Sequence, residues 1–498
     1  MSGGVGTGLH VPAQPRRRFS IGGAVSGGEG LALAAIALVY TAVVALAIRG
    51  GPPLGWDESA YSVMTRDLAT GVGRRAIFPA YRPPGLPWIL HLLWHEEGAV
   101  VMFRAVVAAF GLGLVAATWA LSRHLFGRRA GLVAAAGVAL TPPLLAPATQ
   151  VLTDIPGACM GLLAITLFVL ASGGERPSWW ILCVVPAAAG AIYLRFGAGV
   201  PMAVGLVAVA LWRRRVLRQG WAAVAVTASG TAGAVVAILT VPKLTGTGES
   251  AWASMATLKN SVGGWLSGFA GFARAADDMV APAAVALAVA GLAAVVVWAT
   301  RREIEGSALA FSVAVGGVTA LAIAALQAGE VRYLAPAYPW LWVAGAPGLE
   351  RMGLALPGPV RRVVTAVLAA TLIVAGVGGL QVRNGVRETT EGPIRQVSEA
   401  IADLAAGRPC TVVTSRLPQM MWYSGCEVVA FNKTRVAFPE PRGRLVFMVI
   451  LPDPWNQPQG EVLAAYRAAA GKPVVTMEAG GLAQVYLVSD AETVQISN

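Results

Sequence analysis

Lysine is nearly missing from this sequence: Lys243, Lys259, Lys433 and Lys472 are the only four in 498 residues. Charged residues of every kind make up 13% of the chain, against about a quarter in an ordinary soluble protein. That shortage excludes a soluble enzyme of the usual kind. Cysteine stops at four residues, too few for a disulfide scaffold. Cys410 and Cys426 each open an expected strand, and either a bridge or two buried thiols fits them. Histidine also stops at four; His91 and His95 lie four apart in an apolar stretch, and no His/Asp/Glu cluster has metal-ligand spacing. The net charge is +12, yet no domain pools it with aromatics, so nucleic acid is not an expected partner.

What is abundant is apolar sequence. Hydrophobic residues reach 56% and mean hydropathy is +0.64, and the apolar residues come in runs near the span of a bilayer. The runs predict about eleven transmembrane helices, at 31–48, 99–122, 130–147, 152–172, 179–194, 198–212, 221–241, 281–299, 306–326, 333–349 and 363–380. Arginines such as Arg16 to Arg18, Arg213 to Arg215 and Arg361 crowd alternate connections, whereas the other connections balance acids and bases. That asymmetry places the amino terminus in the cytoplasm and, across an odd number of spans, the carboxyl terminus outside. The location implied is the plasma membrane. Residues 1–29 read as a disordered cytoplasmic tail, and no small-residue cleavage pattern follows the first apolar run, so that helix is expected to be retained.

Two outer segments are long, 49–98 and 242–280. Within the first, residues 82–94 are too short to span and suit an interfacial helix anchored by Trp88 and Trp94. From about 381 strands and helices alternate, with a helix over 393–406. This predicts an extracytoplasmic α/β domain over 381–498 with a mostly parallel sheet. No Gly-rich phosphate loop follows its first strand, which argues against a nucleotide site there.

Ionisable residues at membrane level need a reason. Asp57 and Glu58 sit in Asp-Glu-Ser-Ala-Tyr61 after the first helix. Neighbours on a helix do not share a face, so one acid is expected to meet a cavity while the other caps a helix or pairs with an arginine. Arg82, ahead of Pro83 and Pro84, projects from a rigid corner or snorkels at a turn. Asp154 in Thr-Asp-Ile-Pro156 stands where a helix starts, a capping position as well as a functional one. Arg195 sits in a very short turn between helices, and Arg332 and Tyr333 open a later one. Arg104, inside the second helix, is expected to pair with one of the acids. Topology puts all of these at one face. A carboxylate that accepts a proton, beside arginines that hold a phosphate, makes a transferase site.

The ordered set of Asp-Glu with Tyr61, then Arg-Pro-Pro, then Thr-Asp-x-Pro, then Arg-Tyr-Leu-x-Pro336 resembles the GT-C superfamily of polytopic glycosyltransferases. It is most similar to the branch of dolichyl-phosphate-mannose-protein mannosyltransferases and bacterial aminoarabinose transferases, over roughly residues 30–350. The resemblance implies a GT-C-type transmembrane domain over 30–380 whose catalytic loop is 49–98. It implies transfer of a sugar from a polyprenyl-phosphate donor to a cell-envelope acceptor, with inversion at the anomeric carbon. Asp57 would be the general base and Glu58 its support; Asp154 would position hydroxyls; Arg82, Arg195, Arg332 and Tyr333 would hold the donor phosphate. No cofactor is required on this reading, although a divalent metal is compatible with it. Tyr81 departs from the family, several of whose members carry an acid or histidine there. The rival readings are a lipid or glycolipid transporter, which calls for ionisable groups at the bilayer midplane, and a scaffold that displays the α/β domain.

Overall fold

The computed structural model describes residues 27–71, 82–95, 98–244, 282–301, 306–326, 331–452, 456–478 and 482–489. The expected tail with Arg16 to Arg18, Tyr81, and most of the expected loop 242–280 lie outside the described residues.

Helices follow the apolar runs. In chain order they are α1 (Gly27–Arg49), α2 (Trp56–Thr70), α3 (Gly85–Leu90), α4 (Ala99–Phe126), α5 (Arg128–Leu140), α6 (Pro142–Ala148), α7 (Asp154–Ala171) and α8 (Val184–Leu194). There follow α9 (Gly199–Trp212), α10 (Arg214–Gln219), α11 (Trp221–Leu244), α12 (Pro282–Thr300), α13 (Gly306–Leu326), α14 (Tyr338–Ala355) and α15 (Gly358–Ala405). Each of the expected spans overlaps a described helix. Six described helices are long and apolar enough to cross a bilayer, and the bent pair α5–α6 would add a seventh. Two of the expected spans lie on shorter apolar helices, Trp179–Leu194 and Phe196–Trp212. The segment before α8 begins as a 3-10 turn, Trp179–Cys183, and α9 is preceded by another, Phe196–Ala198.

The expected span 130–147 is broken at Thr141 rather than continuous. Thr141 is extended (ψ 114°) ahead of Pro142 and Pro143, and prolines supply no N–H to continue the ladder of α5. The two pieces meet at 59°. Thr141 Oγ1 then accepts a hydrogen bond from Trp342 Nε1 at 2.8 Å in the core.

Seven-residue spacing puts Val107, Leu114 and Leu121 on one face of α4, and Ile155, Leu162 and Val169 on one face of α7. All six are buried in a single cluster with Ala134 and Val138 of α5. The opposite kind of surface appears on α1, α11 and α15, where Leu31, Leu38, Val226, Val236, Val363, Val367 and Val374 are exposed. An apolar surface of this extent belongs against lipid.

The expected helices at 363–380 and 393–406 are one. α15 runs for 48 residues through Pro393, a length of about 72 Å at 1.5 Å per residue. That is more than twice the hydrocarbon core of a bilayer, about 30 Å. The expected domain boundary near 381 therefore falls inside a continuous stem.

At the end of that stem lie β1 (Cys410–Thr414), α16 (Leu417–Ser424), β2 (Glu427–Ala430), β3 (Leu445–Ile450), α17 (Gly460–Ala470), β4 (Val475–Glu478) and β5 (Leu482–Ser489). The strand order is β2-β1-β3-β5-β4. β1 pairs parallel with β2 and β3, while β5 pairs antiparallel with β3 and β4. The sheet is thus mixed rather than mostly parallel. β4 and β5 are too close in sequence for the crossover that parallel pairing requires. Alternate residues face opposite ways: Val412, Phe447 and Val449 pack with Ile401 and Met420, and Val413, Met448 and Ile450 pack with Tyr466. Cys410 and Cys426 form a disulfide, S–S 2.02 Å, which closes a loop around α16.

α2 joins the two parts. Its Ala60 and Val63 are fully buried in the α/β core beside Ile394, Val397 and Met420, while its Tyr61 belongs to the membrane core.

Candidate active site

One cavity of about 390 Å³ opens at the end of the helix bundle where α2 lies. Asp57, Arg82, Asp154, Arg195, Arg332 and Tyr333, six of the seven residues expected from the sequence, line it together. They come from separate stretches of the chain, and local structure explains how each arrives.

Asp57 and Glu58 occupy the first turn of α2, where the helix dipole favours acids. They leave the helix in different directions. Asp57 is 28% exposed to the cavity and is held on both sides: Arg82 Nη2 lies 2.6 Å from its Oδ1, and Arg332 Nη2 lies 2.6 Å from its Oδ2. Burial by itself would raise the Asp57 carboxyl, but the two guanidinium groups outweigh it and hold the group below the usual carboxylate value.

Glu58 does not line the cavity. Its side chain is 1% exposed and takes Arg104 Nε at 2.7 Å, the Val151 N–H at 3.0 Å and Arg387 Nη2 at 2.5 Å. Burial works against its charged form, and the two arginines reverse the balance and bring the carboxyl down to about 2. The pairing of Arg104 with an acid, expected from its place in the second long helix, is found here.

Arg82 stands immediately before Pro83 and Pro84, and α3 starts at the glycine after them. A Cβ on Gly85 would lie 2.4 Å from the Tyr193 carbonyl oxygen, so only glycine lets this corner press against the end of α8. Arg195 follows directly, with extended backbone (φ −153°, ψ 112°) between α8 and the 3-10 turn. Its side chain crosses the start of α7, where a Cβ on Gly157 would come within 2.7 Å of the Arg195 Cβ. From there Nη1 reaches Asp154 Oδ1 at 2.9 Å.

Arg332 and Tyr333 sit in a 3-10 turn, Val331–Leu334, ahead of α14. The Tyr333 ring has two cations close to it, with Arg195 Cζ at 5.1 Å and Arg332 Cζ at 5.2 Å from its centroid. Tyr61, one turn along α2 from Asp57, supports Arg82 on its ring at 5.4 Å and meets Thr153 Oγ1 at 3.3 Å.

Three guanidinium groups against two carboxylates leave the cavity wall with a surplus of one positive charge, and the N-terminus of α7 adds positive potential at Asp154. The wall suits an anion, and Asp57 supplies a proton acceptor beside it. Among the described residues no group of three or more His, Cys, Asp or Glu gathers in a way that holds a metal.

Sequence reasoning did not assign roles to Tyr61, Thr153, Phe196 and Gly197, which also line the cavity. Each is a neighbour of an expected residue in a short motif. Arg387 was missed altogether. A single arginine beyond the last apolar run has no sequence signal that ties it to Glu58, which lies 329 residues earlier.

The fold is that of the GT-C superfamily of polytopic membrane glycosyltransferases. Residues 81–242 match the family described as dolichyl-phosphate-mannose-protein mannosyltransferase, a stretch that contains Arg82, Asp154 and Arg195. The match covers 162 of the 498 residues, and with the fold it indicates a membrane glycosyltransferase. No curated protein matches it by sequence.

Among solved structures, it is similar to ArnT from Cupriavidus metallidurans bound to undecaprenyl phosphate, with 16% identity and a TM-score of 0.62 over 93% of this chain and 99% of that one. The oligosaccharyltransferase of Archaeoglobus fulgidus in its apo form is similar at 12% identity and a TM-score of 0.53, over 81% of this chain and 64% of that one. The archaeal AglB in complex with an inhibitory peptide and a dolichol-phosphate is similar at 11% identity and a TM-score of 0.51, again over 81% and 64%. At these identities the likeness is one of fold.

Proposed function

We propose that the chain transfers a sugar from a polyprenyl monophosphate to an acceptor hydroxyl on the outer side of the plasma membrane, with Asp57 as general base and inversion at the anomeric carbon. The observation that carries this reading is the Asp57 carboxylate held between Arg82 and Arg332 at the wall of a cavity shared with Arg195 and Tyr333.

The residues divide the work. Arg82, Arg195 and Arg332 bind the donor phosphate, and Tyr333 keeps two of them in place. Asp154, oriented by Arg195, accepts hydrogen bonds from sugar or acceptor hydroxyls. Asp57 and the phosphate compete for the same two guanidinium groups. A phosphate that takes Arg82 and Arg332 leaves Asp57 with fewer cations, so its proton affinity rises at the point where a base is needed. The acceptor oxygen then bonds to the anomeric carbon as its proton passes to Asp57. The bond from that carbon to the phosphate oxygen breaks, and its electron pair leaves on the phosphate, where the arginines stabilise the added charge. This scheme has no metal in it. The amino terminus is cytoplasmic and the α/β domain extracytoplasmic.

The test is turnover of a panel of radiolabelled polyprenyl-phosphate sugars by wild type and Asp57→Asn, with the anomeric configuration of the product read by NMR. Release or transfer by wild type, its loss in the variant and inversion in the product are the expected outcomes. Equal turnover by both proteins removes Asp57 from the base role, and retention at the anomeric carbon overturns direct displacement.

A further inference from the structure

We infer that Arg387 is a positioning residue for the Asp57 carboxylate, which makes the C-terminal domain part of the transferring unit; the inference rests on the role of Asp57 proposed above. Arg387 lies on α15, on the stem that carries the α/β domain, and is itself buried. From one nitrogen, Nη2, it donates to Glu58 Oε2 at 2.5 Å and to the Pro53 carbonyl at 2.6 Å. Arg104 on α4 repeats the arrangement, with Nε on Glu58 Oε1 at 2.7 Å and Nη2 on the Pro52 carbonyl at 2.7 Å. The Val151 N–H, just ahead of Thr153 and Asp154, completes the set at 3.0 Å.

Glu58 is thus fixed from three parts of the molecule. Consecutive residues on a helix point about 100° apart, so once Glu58 is held inward the direction of Asp57 is set. The chain before and after Asp57 is also tied to the C-terminal domain. The Leu54 N–H donates to Tyr423 Oη at 2.7 Å. The Arg66 guanidinium donates to the Met421 carbonyl at 3.3 Å and lies 5.6 Å from the Trp422 ring centroid. These partners sit on α16, inside the loop that Cys410 and Cys426 close. Ala60 and Val63 bury the intervening face of α2 in the same domain. Of the ties named here from the C-terminal stem and domain, that of Arg387 reaches the residue next to the reacting acid.

The experiment uses the full chain in nanodiscs as wild type, Arg387→Met, Arg387→Lys, and Arg387→Met combined with Glu58→Gln. Amide hydrogen exchange is measured first, with no substrate. Arg387→Met should raise exchange over residues 58–66 by about tenfold while α7 and β3 keep wild-type rates. Next, kcat and KM are measured with the radiolabelled donor that wild type turns over. A displacement near 1 Å at the base predicts a fall in kcat of about 100-fold with little change in KM. Arg387→Lys keeps the charge without the planar fork and should recover part of the rate. In Arg387→Met the Glu58 carboxylate keeps Arg104 and the Val151 N–H, so thermal stability should fall less than in the double variant, which also strips Arg104 of its carboxylate. A loss of kcat in Arg387→Met without a matching loss of stability separates positioning from folding. Wild-type exchange over residues 58–66 in Arg387→Met, or an unchanged kcat, overturns the inference. A wild type that turns over no donor overturns the transferase reading instead, and the exchange measurement still decides whether Arg387 holds α2.

Discussion

Arg387 and Glu58 stand 329 residues apart in sequence and meet at 2.5 Å. The contact brings the stem of the C-terminal domain to the residue beside Asp57. It ties the start of α2, which a sequence reading places in a loop, to that stem.

Replacing Asp57 with asparagine keeps the shape of the side chain and removes its basicity. A fall in kcat of about 10²- to 10⁴-fold is expected, with donor KM no higher than in wild type, because the arginines remain and lose a competing carboxylate. Steady-state kinetics on the purified protein checks both numbers.

Arg332→Ala removes a charged donor from the cavity wall and one of the two cations that hold Asp57. A charge-assisted hydrogen bond contributes about 1.5–3 kcal/mol, so donor KM should rise by about tenfold or more. Titration of wild type and variant with the same donor measures it, and an unchanged KM would move phosphate binding to Arg82 and Arg195.

Glu58 makes stability depend on pH. Its carboxyl titrates near 4.5 in an unfolded chain and at about 2 here. The unfolded state therefore binds the proton first as pH falls. The stabilisation is fully present above about pH 5 and is lost between there and about pH 2. Tm followed from pH 6 to pH 3 should drop steeply in wild type and more shallowly in Glu58→Gln. At neutral pH, Glu58→Ala leaves two buried arginines without their partner and should cost about 3–5 kcal/mol.

Gly85→Ala tests the contact behind Arg82. Its Cβ would sit 2.4 Å from the Tyr193 carbonyl oxygen, a backbone atom that cannot swing aside. Overpacking of this kind costs about 1–3 kcal/mol. Thermal unfolding should report the loss, and kcat should fall as Arg82 is displaced.

Denatured without reductant, the protein should titrate as two free thiols, Cys159 and Cys183, and as four after reduction. The double substitution Cys410→Ser, Cys426→Ser opens a loop with a sequence separation of 16. By chain entropy a closed loop of that size is worth about 3 kcal/mol. The Tm of the variant should fall accordingly.

Much of the site was legible because its motifs are local. Arg-Pro-Pro fixes a corner, and Thr-Asp-x-Pro marks a helix start. Hydropathy puts both at the ends of apolar runs, so Asp57, Arg82, Asp154, Arg195 and Arg332 stand out as charges with no reason to be at membrane level. Adjacency says only that Asp57 and Glu58 face apart; the family resemblance is what points to Asp57 as the base. The count of spans was less legible. Trp179–Cys183 and Phe196–Ala198 wind as 3-10 turns, and a hydropathy run does not record how tightly the chain winds.

The sequence by itself determined that this protein lives in a membrane, where its apolar helices run, and which charged residues gather at one end of them. Those properties follow from composition and short-range pattern, and burial of apolar length in lipid depends on little else. Only the tertiary structure decided that Asp57 faces the cavity and Glu58 does not, that the sheet is mixed, and that Arg387 reaches back to α2. Each of those outcomes depends on which distant groups satisfy a buried charge or a strand edge. That pairing is set by packing in three dimensions, because a carboxylate buried at Glu58 is tolerated only where two guanidinium groups and a backbone N–H arrive together.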